Sequence, residues 1–170
     1  MDIDEVIKNS NNKEYFLEKL KTNPQILDYA SEELKNDKEV ALTAIEADGG
    51  ALEFVGDKLK DNKEVVLDAV KKVGWVICYA SERLRNDKEI ILEGVKVTGQ
   101  VLYYASERLR DNKQIVLEAV KNKGLILKYA SKRLRSDKEI AIEAIKQDKR
   151  AASFITKEIR ENEEIKQLLA

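Results

Sequence analysis

The sequence predicts an all-α fold, an α-solenoid of about six 25-residue helical hairpins wound into a right-handed superhelix. The first observation is a 25-residue period along the whole chain, which is typical of stacked repeats. The second is composition: 43% hydrophobic and 37% charged residues with one Pro, as in long helical assemblies. An Asn or Asp marks each period, at Asn12, Asp37, Asn62, Asp87, Asn112, Asp137 and Asn162.

The first half of each unit predicts a short amphipathic helix. In residues 87–99, Ile90, Ile91 and Val95 fall at helical spacing. Asn86 and Glu89 have the form of a capping box, and so do Asn36 with Glu39, Asp61 with Glu64, Asp111 with Gln114, and Ser136 with Glu139. We expect a left-handed glycine to end each helix, at Gly49, Gly74, Gly99 and Gly124.

The second half of each unit predicts one further helix, from the spacing of Val101, Leu102, Tyr104, Ala105 and Leu109. We interpret its recurring aromatic residues as interlocking core, in preference to a base-stacking ladder. They are Tyr29, Phe54, Tyr79, Tyr104, Tyr129 and Phe154. The serines that follow four of them, Ser31, Ser81, Ser106 and Ser131, we interpret as small residues at a close helix contact.

The two ends depart from the repeat, as the ends of a stack must. Pro24 and Lys149 stand where Gly is expected. We therefore predict a single array over residues 1–170, with an N-terminal cap at 1–24, five regular units at 25–149 and a C-terminal cap at 150–170. The residue pair at successive junctions alternates between Asn-Asp and Asp-Asn, which indicates duplication of a two-hairpin unit.

One stretch carries a family resemblance: Leu102, Tyr104-Ala105-Ser106-Glu107, Leu109-Arg110, Lys113, residues 116–120 and Gly124. It resembles the tandem helical-repeat family catalogued only as a domain of unknown function, whose unit spans two 25-residue hairpins. The resemblance covers nearly the whole chain and is weaker before residue 24 and after 150. Such arrays occur in bacteria, protists and large DNA viruses, and the resemblance implies no activity, ligand or catalytic residue.

The residue types present argue against an enzyme. Histidine is absent and Cys78 is the only cysteine, so the usual nucleophile and base pairs and His/Cys zinc sites cannot be built. We expect no catalytic residues, no cofactor, no metal and no small-molecule substrate. A single cysteine, an acidic start and no long apolar run favour a cytoplasmic protein without a membrane partner.

Binding is the expected function, at the positions where the repeat changes its outward residues. Three positions per unit form an outward stripe that runs from acidic through aromatic and apolar to basic. The expected partner-binding residues are Trp75, Cys78, Tyr103, Leu125, Lys128 and Lys132. Charge follows the same order, since residues 1–74 carry 11 Lys and Arg against 17 acids and residues 75–170 carry 20 against 15.

A protein partner is the first hypothesis for this stripe. The alternative is nucleic-acid binding by the basic half, where residues 121–150 hold ten Lys and Arg against four acids. The viral members of the resembling family suggest a third idea, a small inhibitor that blocks a nuclease or a host-defence complex.

Overall fold

In the computed structural model, which describes residues 2–170, 75% of the chain is helical and no strand occurs in those residues. Tandem repeats whose neighbouring helices touch make this an α-solenoid, as predicted. Contacts divide the chain into two compact units, Met1–Leu84 and Arg85–Ala170. The finer division into caps and five regular units stays a prediction, and so does the handedness of the superhelix.

The first unit contains α1 (Ile3–Lys8), α2 (Lys13–Lys19), α3 (Glu32–Lys35), α4 (Lys38–Ala47), α5 (Asp57–Lys60), α6 (Lys63–Lys72) and α7 (Glu82–Arg85), whose last residue begins the second unit. Its 3-10 helices are Pro24–Tyr29, Gly49–Glu53 and Gly74–Tyr79. The ten-residue helices α4 and α6 pack against each other.

The second unit contains α8 (Lys88–Val97), α9 (Val101–Tyr104), α10 (Glu107–Arg110), α11 (Lys113–Asn122), α12 (Lys132–Arg135), α13 (Lys138–Gln147), α14 (Lys157–Arg160) and α15 (Glu163–Leu169). Its 3-10 helices are Gly124–Tyr129 and Lys149–Ser153. Helix α11 packs between α8 and α13, and α13 also packs against α15.

The prediction of one continuous second helix is wrong, because the chain becomes extended in the middle of it. Ala105 has φ −68° and ψ 150°, and Ser106 has φ −60° and ψ 158°. Two hydrogen bonds from backbone amides form at this break. The amide of Ser106 donates to the carbonyl of Arg85 at 3.4 Å, and the Ser106 hydroxyl accepts from the Leu109 amide at the start of α10.

The capping-box prediction is wrong by one residue. Asp111 ends α10 as its C-cap, so the N-cap of α11 is Asn112, whose side chain accepts from the amide of Ile115 at 3.2 Å. The same second residue of each junction pair caps the other ten-residue helices, at Asp37, Asn62, Asp87 and Asp137. The junction residues therefore do cap these helices, but the capping residue is the second of each pair and not the first.

The first residue of each junction pair makes a contact with the next repeat. The Asp111 carboxylate accepts from the Ser131 hydroxyl and from Arg133 Nε, the latter at 3.1 Å, and the Asp111 carbonyl accepts from Arg133 Nη2 at 2.8 Å. Ser131, predicted as a small residue at a close helix contact, therefore also forms a hydrogen bond there. The Ser131 hydroxyl, and then Arg133, hold the pKa of Asp111 below its usual value.

The presence of one carboxylate and one neutral residue at each regular junction has a physical reason. Both residues of a pair accept hydrogen bonds, one from the next repeat and one from the helix it caps, so either amide or carboxylate suffices. Each regular junction from residue 36 to residue 137 carries one carboxylate beside one amide or hydroxyl. Two adjacent carboxylates, which would repel each other, are thereby avoided.

The prediction of left-handed glycines is also wrong, since no residue among 2–170 has a positive φ. Thr98, in an extended conformation with φ −152°, ends α8 instead. Glycine is required for close approach: a Cβ on Gly124 would lie 2.3 Å from the backbone oxygen of Ala144, and one on Gly99 would lie 2.6 Å from that of Ala119. Lys149 occupies the equivalent position at the last junction and is exposed.

Apart from Phe16, the buried side chains of the core are aliphatic, and the aromatic column is not part of it. Leu102, Leu109 and Val116 are completely buried, whereas Tyr29 is 37% exposed. The other aromatic residues of the column, at 54, 79, 104, 129 and 154, are half-buried. Their interpretation as interlocking core is therefore wrong, and their rings are partly available at the surface.

Candidate functional site

The six predicted partner-binding residues fall in different units. Trp75 and Cys78 belong to the first unit, and Tyr103, Leu125, Lys128 and Lys132 belong to the second. Trp75 is 42% exposed and Tyr103 is 54% exposed, which confirms the expected exposure of both rings. Cys78 and Leu125 are half-buried, and Lys128 and Lys132 are exposed.

A groove of about 380 Å³ in the second unit, here called the basic groove, brings three of these residues together. It lies between α9 and the 3-10 helix Gly124–Tyr129, which end at Tyr104 and Tyr129 respectively. It is lined by Gln100, Tyr103, Tyr104, Lys123, Leu125, Ile126, Lys128 and Tyr129. Lys132 follows the break at Ala130 and is not among the lining residues.

Three tyrosine rings form a cluster in this groove. The Tyr103 ring centroid lies 4.9 Å from that of Tyr104 and 4.9 Å from that of Tyr129, with interplanar angles of 75° and 60°. Both contacts are edge-to-face, the arrangement that the ring quadrupoles favour. The ammonium of Lys128 lies 4.7 Å from the Tyr129 centroid. Each ring is therefore held by a neighbour, and one face of Tyr129 is already covered by a cation.

The charge at the basic groove has one sign. Its lining includes two lysines and no carboxylate, and within residues 2–170 neither Lys123 nor Lys128 forms an ion pair. A second groove of about 340 Å³ shares Lys128 and Tyr129 with it and adds Arg110 and one acid, Glu107. The Nε of Arg110 is buried, and no group in the described chain accepts a hydrogen bond from it.

The first unit has a groove at matching positions, here called the acidic groove. Its volume is about 190 Å³, and it is lined by Pro24, Gln25, Asp48, Gly50, Ala51, Glu53, Phe54 and Trp75. Trp75 makes an edge contact with Tyr79 at 5.9 Å between centroids. Cys78 is not among the lining residues. The predicted Trp75–Cys78 pair is therefore not brought together as a site.

Four residues at the basic groove and its neighbour were not predicted as protein-binding residues. Tyr104 and Tyr129 were interpreted as core, Lys123 was counted only within the basic stretch of residues 121–150, and Arg110 was given no part in binding. A usable signal was present: Lys123 and Lys128 stand 75 residues after Asp48 and Glu53, so the same repeat positions change from acid to base. That reversal identifies a surface on which the repeat tolerates opposite charges.

Two absences within residues 2–170 concern other kinds of site. No group of three or more Cys, Asp or Glu side chains is arranged to hold a metal ion. No helix has both the length and the apolar character needed to cross a membrane.

Comparison with known proteins identifies the family. No curated protein and no solved structure matches the chain. The family described as "Domain of unknown function (DUF4116)" matches three tandem stretches, residues 12–60, 62–110 and 112–160. Each stretch spans two 25-residue hairpins, in agreement with the alternating junctions. The chain therefore belongs to the DUF4116 family of tandem helical repeats.

Proposed function

We propose that this chain is a non-enzymatic, cytoplasmic scaffold that binds another protein through the basic groove of its second unit. The observation that carries the proposal is the tyrosine cluster, in which Tyr103 is 54% exposed although every neighbouring aliphatic residue of α9 is buried. An exposed aromatic residue held rigidly beside Leu125 is typical of an interface anchor, because little side-chain entropy is lost when it binds.

Ring orientation favours a protein partner over a nucleic acid. Bases bind by stacking on open aromatic faces. In the basic groove the three rings meet edge to face, and Lys128 covers one face of Tyr129. The remaining space, floored by Ile126 and Leu125, suits an aliphatic or aromatic side chain.

Nucleic-acid binding is the second candidate, favoured by the ten Lys and Arg against four acids in residues 121–150. Phosphate contacts would make the affinity fall steeply with salt, whereas an interface centred on aromatic residues depends on salt only weakly. Titration of one purified partner at two salt concentrations therefore separates the two candidates.

The non-enzymatic part of the proposal rests on composition. The chain has no histidine and one cysteine, and its carboxylates recur at repeat positions where they cap helices or pair with lysines. The cytoplasmic assignment rests on that single cysteine, which excludes an intramolecular disulfide, since disulfides are common in secreted proteins and rare in cytosolic ones.

The test is affinity capture from the native cell with wild type and Tyr103→Ala. We expect Tyr103→Ala to weaken binding of the captured protein by at least about fivefold, the equivalent of 1 kcal/mol, because an anchor loses its contact area. Mass spectrometry identifies the captured protein, and calorimetry with the purified pair measures the change.

Val97→Ala is the matched control, because Val97 is 42% exposed in the same unit and does not line the groove. Trp75→Ala tests the first unit separately. If Tyr103→Ala captures the same proteins as wild type and binds them with the same affinities, the basic groove is not the binding site.

A further inference from the structure

We propose that the basic groove and the neighbouring groove lined by Arg110 bind an acidic segment of a partner protein, with an apolar side chain seated beside Tyr103 and carboxylates at Lys123, Lys128 and Arg110. This inference rests on the proposed function and adds the chemistry of the partner. Three kinds of observation support it: the matched acidic groove, the state of the cations, and the shared wall of the two neighbouring grooves.

The matched groove shows that the positive charge is not demanded by the fold. Position 48 is Asp and position 123 is Lys; position 53 is Glu and position 128 is Lys. Both grooves nevertheless keep Gln at the equivalent place, Gln25 and Gln100, and an aromatic ring at residue 54 or 129. Since the repeat folds with either sign, the two lysines are free to serve a ligand.

The cations at the basic groove and at its neighbour form no ion pair within residues 2–170. Lys113 is paired with Asp137 and Glu139 at 2.8 and 2.9 Å, and Arg133 is paired with Asp111 at 3.1 Å. By contrast Arg110, Lys123 and Lys128 have no carboxylate partner among residues 2–170. Unpaired cations beside an apolar floor attract carboxylates, and the planar guanidinium of Arg110 can bind one in bidentate fashion.

The arrangement of the two grooves favours a linear segment. The basic groove and its neighbour, of about 380 and 340 Å³, are separated only by their common residues Lys128 and Tyr129. An extended chain can therefore place an apolar residue in the first and a carboxylate near Arg110 in the second. Successive residues of an extended strand advance about 3.3 Å, so a 12-residue segment is long enough to occupy both grooves.

A random 12-residue peptide library displayed on phage tests this inference on the full-length protein. Selection against wild type should enrich peptides with an apolar residue flanked by Asp or Glu. Synthetic copies of those peptides should bind at least about tenfold more weakly to Lys123→Asp/Lys128→Glu, the pair that the acidic groove carries naturally. Because the first unit folds with these residue types, the variant is expected to retain the wild-type helical circular dichroism.

The matched control is Lys121→Asp/Lys157→Glu. Both lysines are exposed in the second unit, neither lines either groove, and the change of net charge is the same. We expect this variant to lose less than about threefold, since solvent-exposed charges outside the grooves are screened by water and salt. Arg110→Lys should weaken binding less than Arg110→Ala, because charge remains while the bidentate geometry is lost.

Three results would overturn the inference: no enrichment of acids, equal losses in the two double variants, or tighter binding of a 20-residue oligothymidylate than of any selected peptide. Capture of the cellular partner by the same variants tests the proposed function separately. If Tyr103→Ala abolishes capture of the cellular partner while Lys123→Asp/Lys128→Glu does not, the groove binds a protein of other chemistry. If neither change affects capture, the groove is not the site.

Discussion

The acidic and basic grooves occupy the same repeat positions 75 residues apart and differ in their outward residues. Asp48 and Glu53 become Lys123 and Lys128, and Gly50 becomes Leu125. The buried residues stay aliphatic: Leu52 and Leu127 are identical, and Ala51 is replaced by Ile126, all of them at most 4% exposed. Packing therefore holds the interior to a narrow choice of side chains, whereas the groove rim is open to solvent and can be altered at little cost.

The two units as wholes also differ in the sign of their net charge. Residues 85–170 carry 19 Lys and Arg against 14 acids, whereas residues 1–84 carry 12 against 18. The junction contacts are nevertheless equivalent: Asp61 binds Ser81 and Arg83 in the first unit as Asp111 binds Ser131 and Arg133 in the second. One structural framework thus carries two different surfaces.

The largest expected difference between matched positions concerns the close helix contact. Gly124→Ala places a Cβ 2.3 Å from the Ala144 oxygen, whereas at Gly49 the nearest atom is Lys72 Cβ at 2.9 Å and the Ala69 oxygen lies at 3.0 Å. We expect a loss of about 3 kcal/mol at Gly124 and about 1 kcal/mol at Gly49, because a backbone carbonyl cannot move aside alone. Urea unfolding followed by circular dichroism measures both.

Gly50→Ala is the control, since a Cβ there meets only the side chain of Asp48, at 3.1 Å or more. It should be neutral or slightly stabilising, as expected for a less flexible unfolded chain. Equal losses at Gly49 and Gly124 would contradict the explanation by close approach.

A smaller effect, equal in the two units, is expected for the helix caps. Asn62 accepts from the Val65 amide at 3.2 Å and Asn112 from the Ile115 amide at 3.2 Å. Asn62→Ala and Asn112→Ala should each cost about 1 kcal/mol, because a helix N–H loses its partner. The unfolding midpoint of Asn112→Ser, which keeps a capping oxygen, should stay near wild type, and a loss as large as for Ala would exclude capping as the cause.

The exposed aromatic residues should contribute still less to stability. Trp75 and Tyr103 are 42% and 54% exposed, so Trp75→Ala and Tyr103→Ala should each lower the free energy of unfolding by less than about 1 kcal/mol. Leu102→Ala, at a completely buried neighbour, should cost about 2 to 5 kcal/mol by comparison. Thermal melts of the three variants test whether Tyr103 is surface or core, and a loss at Tyr103 equal to that at Leu102 would place it in the core.

The smallest expected effect is a dependence on pH that distinguishes junctions with Asp from those with Asn. A hydrogen bond from Ser131, and then Arg133, lower the pKa of Asp111 from an ordinary value of 3.8. The ionised Asp111 therefore contributes fully to the free energy of unfolding above its ordinary pKa of 3.8. That contribution is lost as the pH falls through the lower pKa of the folded state.

Asp111→Asn should keep its hydrogen bonds, as Asn86 does with Ser106 and Arg108. Between about pH 5 and about pH 3 its urea midpoint should fall less than that of wild type. The urea midpoint of Asn86→Asp should fall more than that of wild type over the same range. Identical acid profiles for all three proteins would show that this carboxylate adds nothing at the junction.

Much of the fold could be predicted from the sequence because it depends on local pattern and on repetition. Apolar spacing located the ten-residue helices such as α8, and the 25-residue period implied stacking. Exposure of Trp75 and Tyr103 was predicted because both interrupt otherwise polar columns. These inferences need only neighbours along the chain or at a fixed offset.

Three of the errors share one cause, contacts made with a neighbouring repeat. Asn86 and Asp111 look like N-caps until the hydroxyl and guanidinium of the next repeat are seen to bind them. Gly124 looks like a helix end until the Ala144 carbonyl is seen to approach it. The spacing of Tyr104 and Ala105 looks continuous until the Ser106 amide is seen to bond to Arg85.

The sequence by itself determined the class of fold, the repeat length and the aliphatic core, because hydrophobic periodicity is encoded locally. Only the tertiary structure decided that each second helix breaks, that the aromatic rings remain half-exposed, and that Tyr103, Leu125 and Lys128 share a groove with Lys123. The physical reason is that backbone hydrogen bonds between repeats compete with those inside a helix. Which set forms depends on distances that no spacing along the chain specifies.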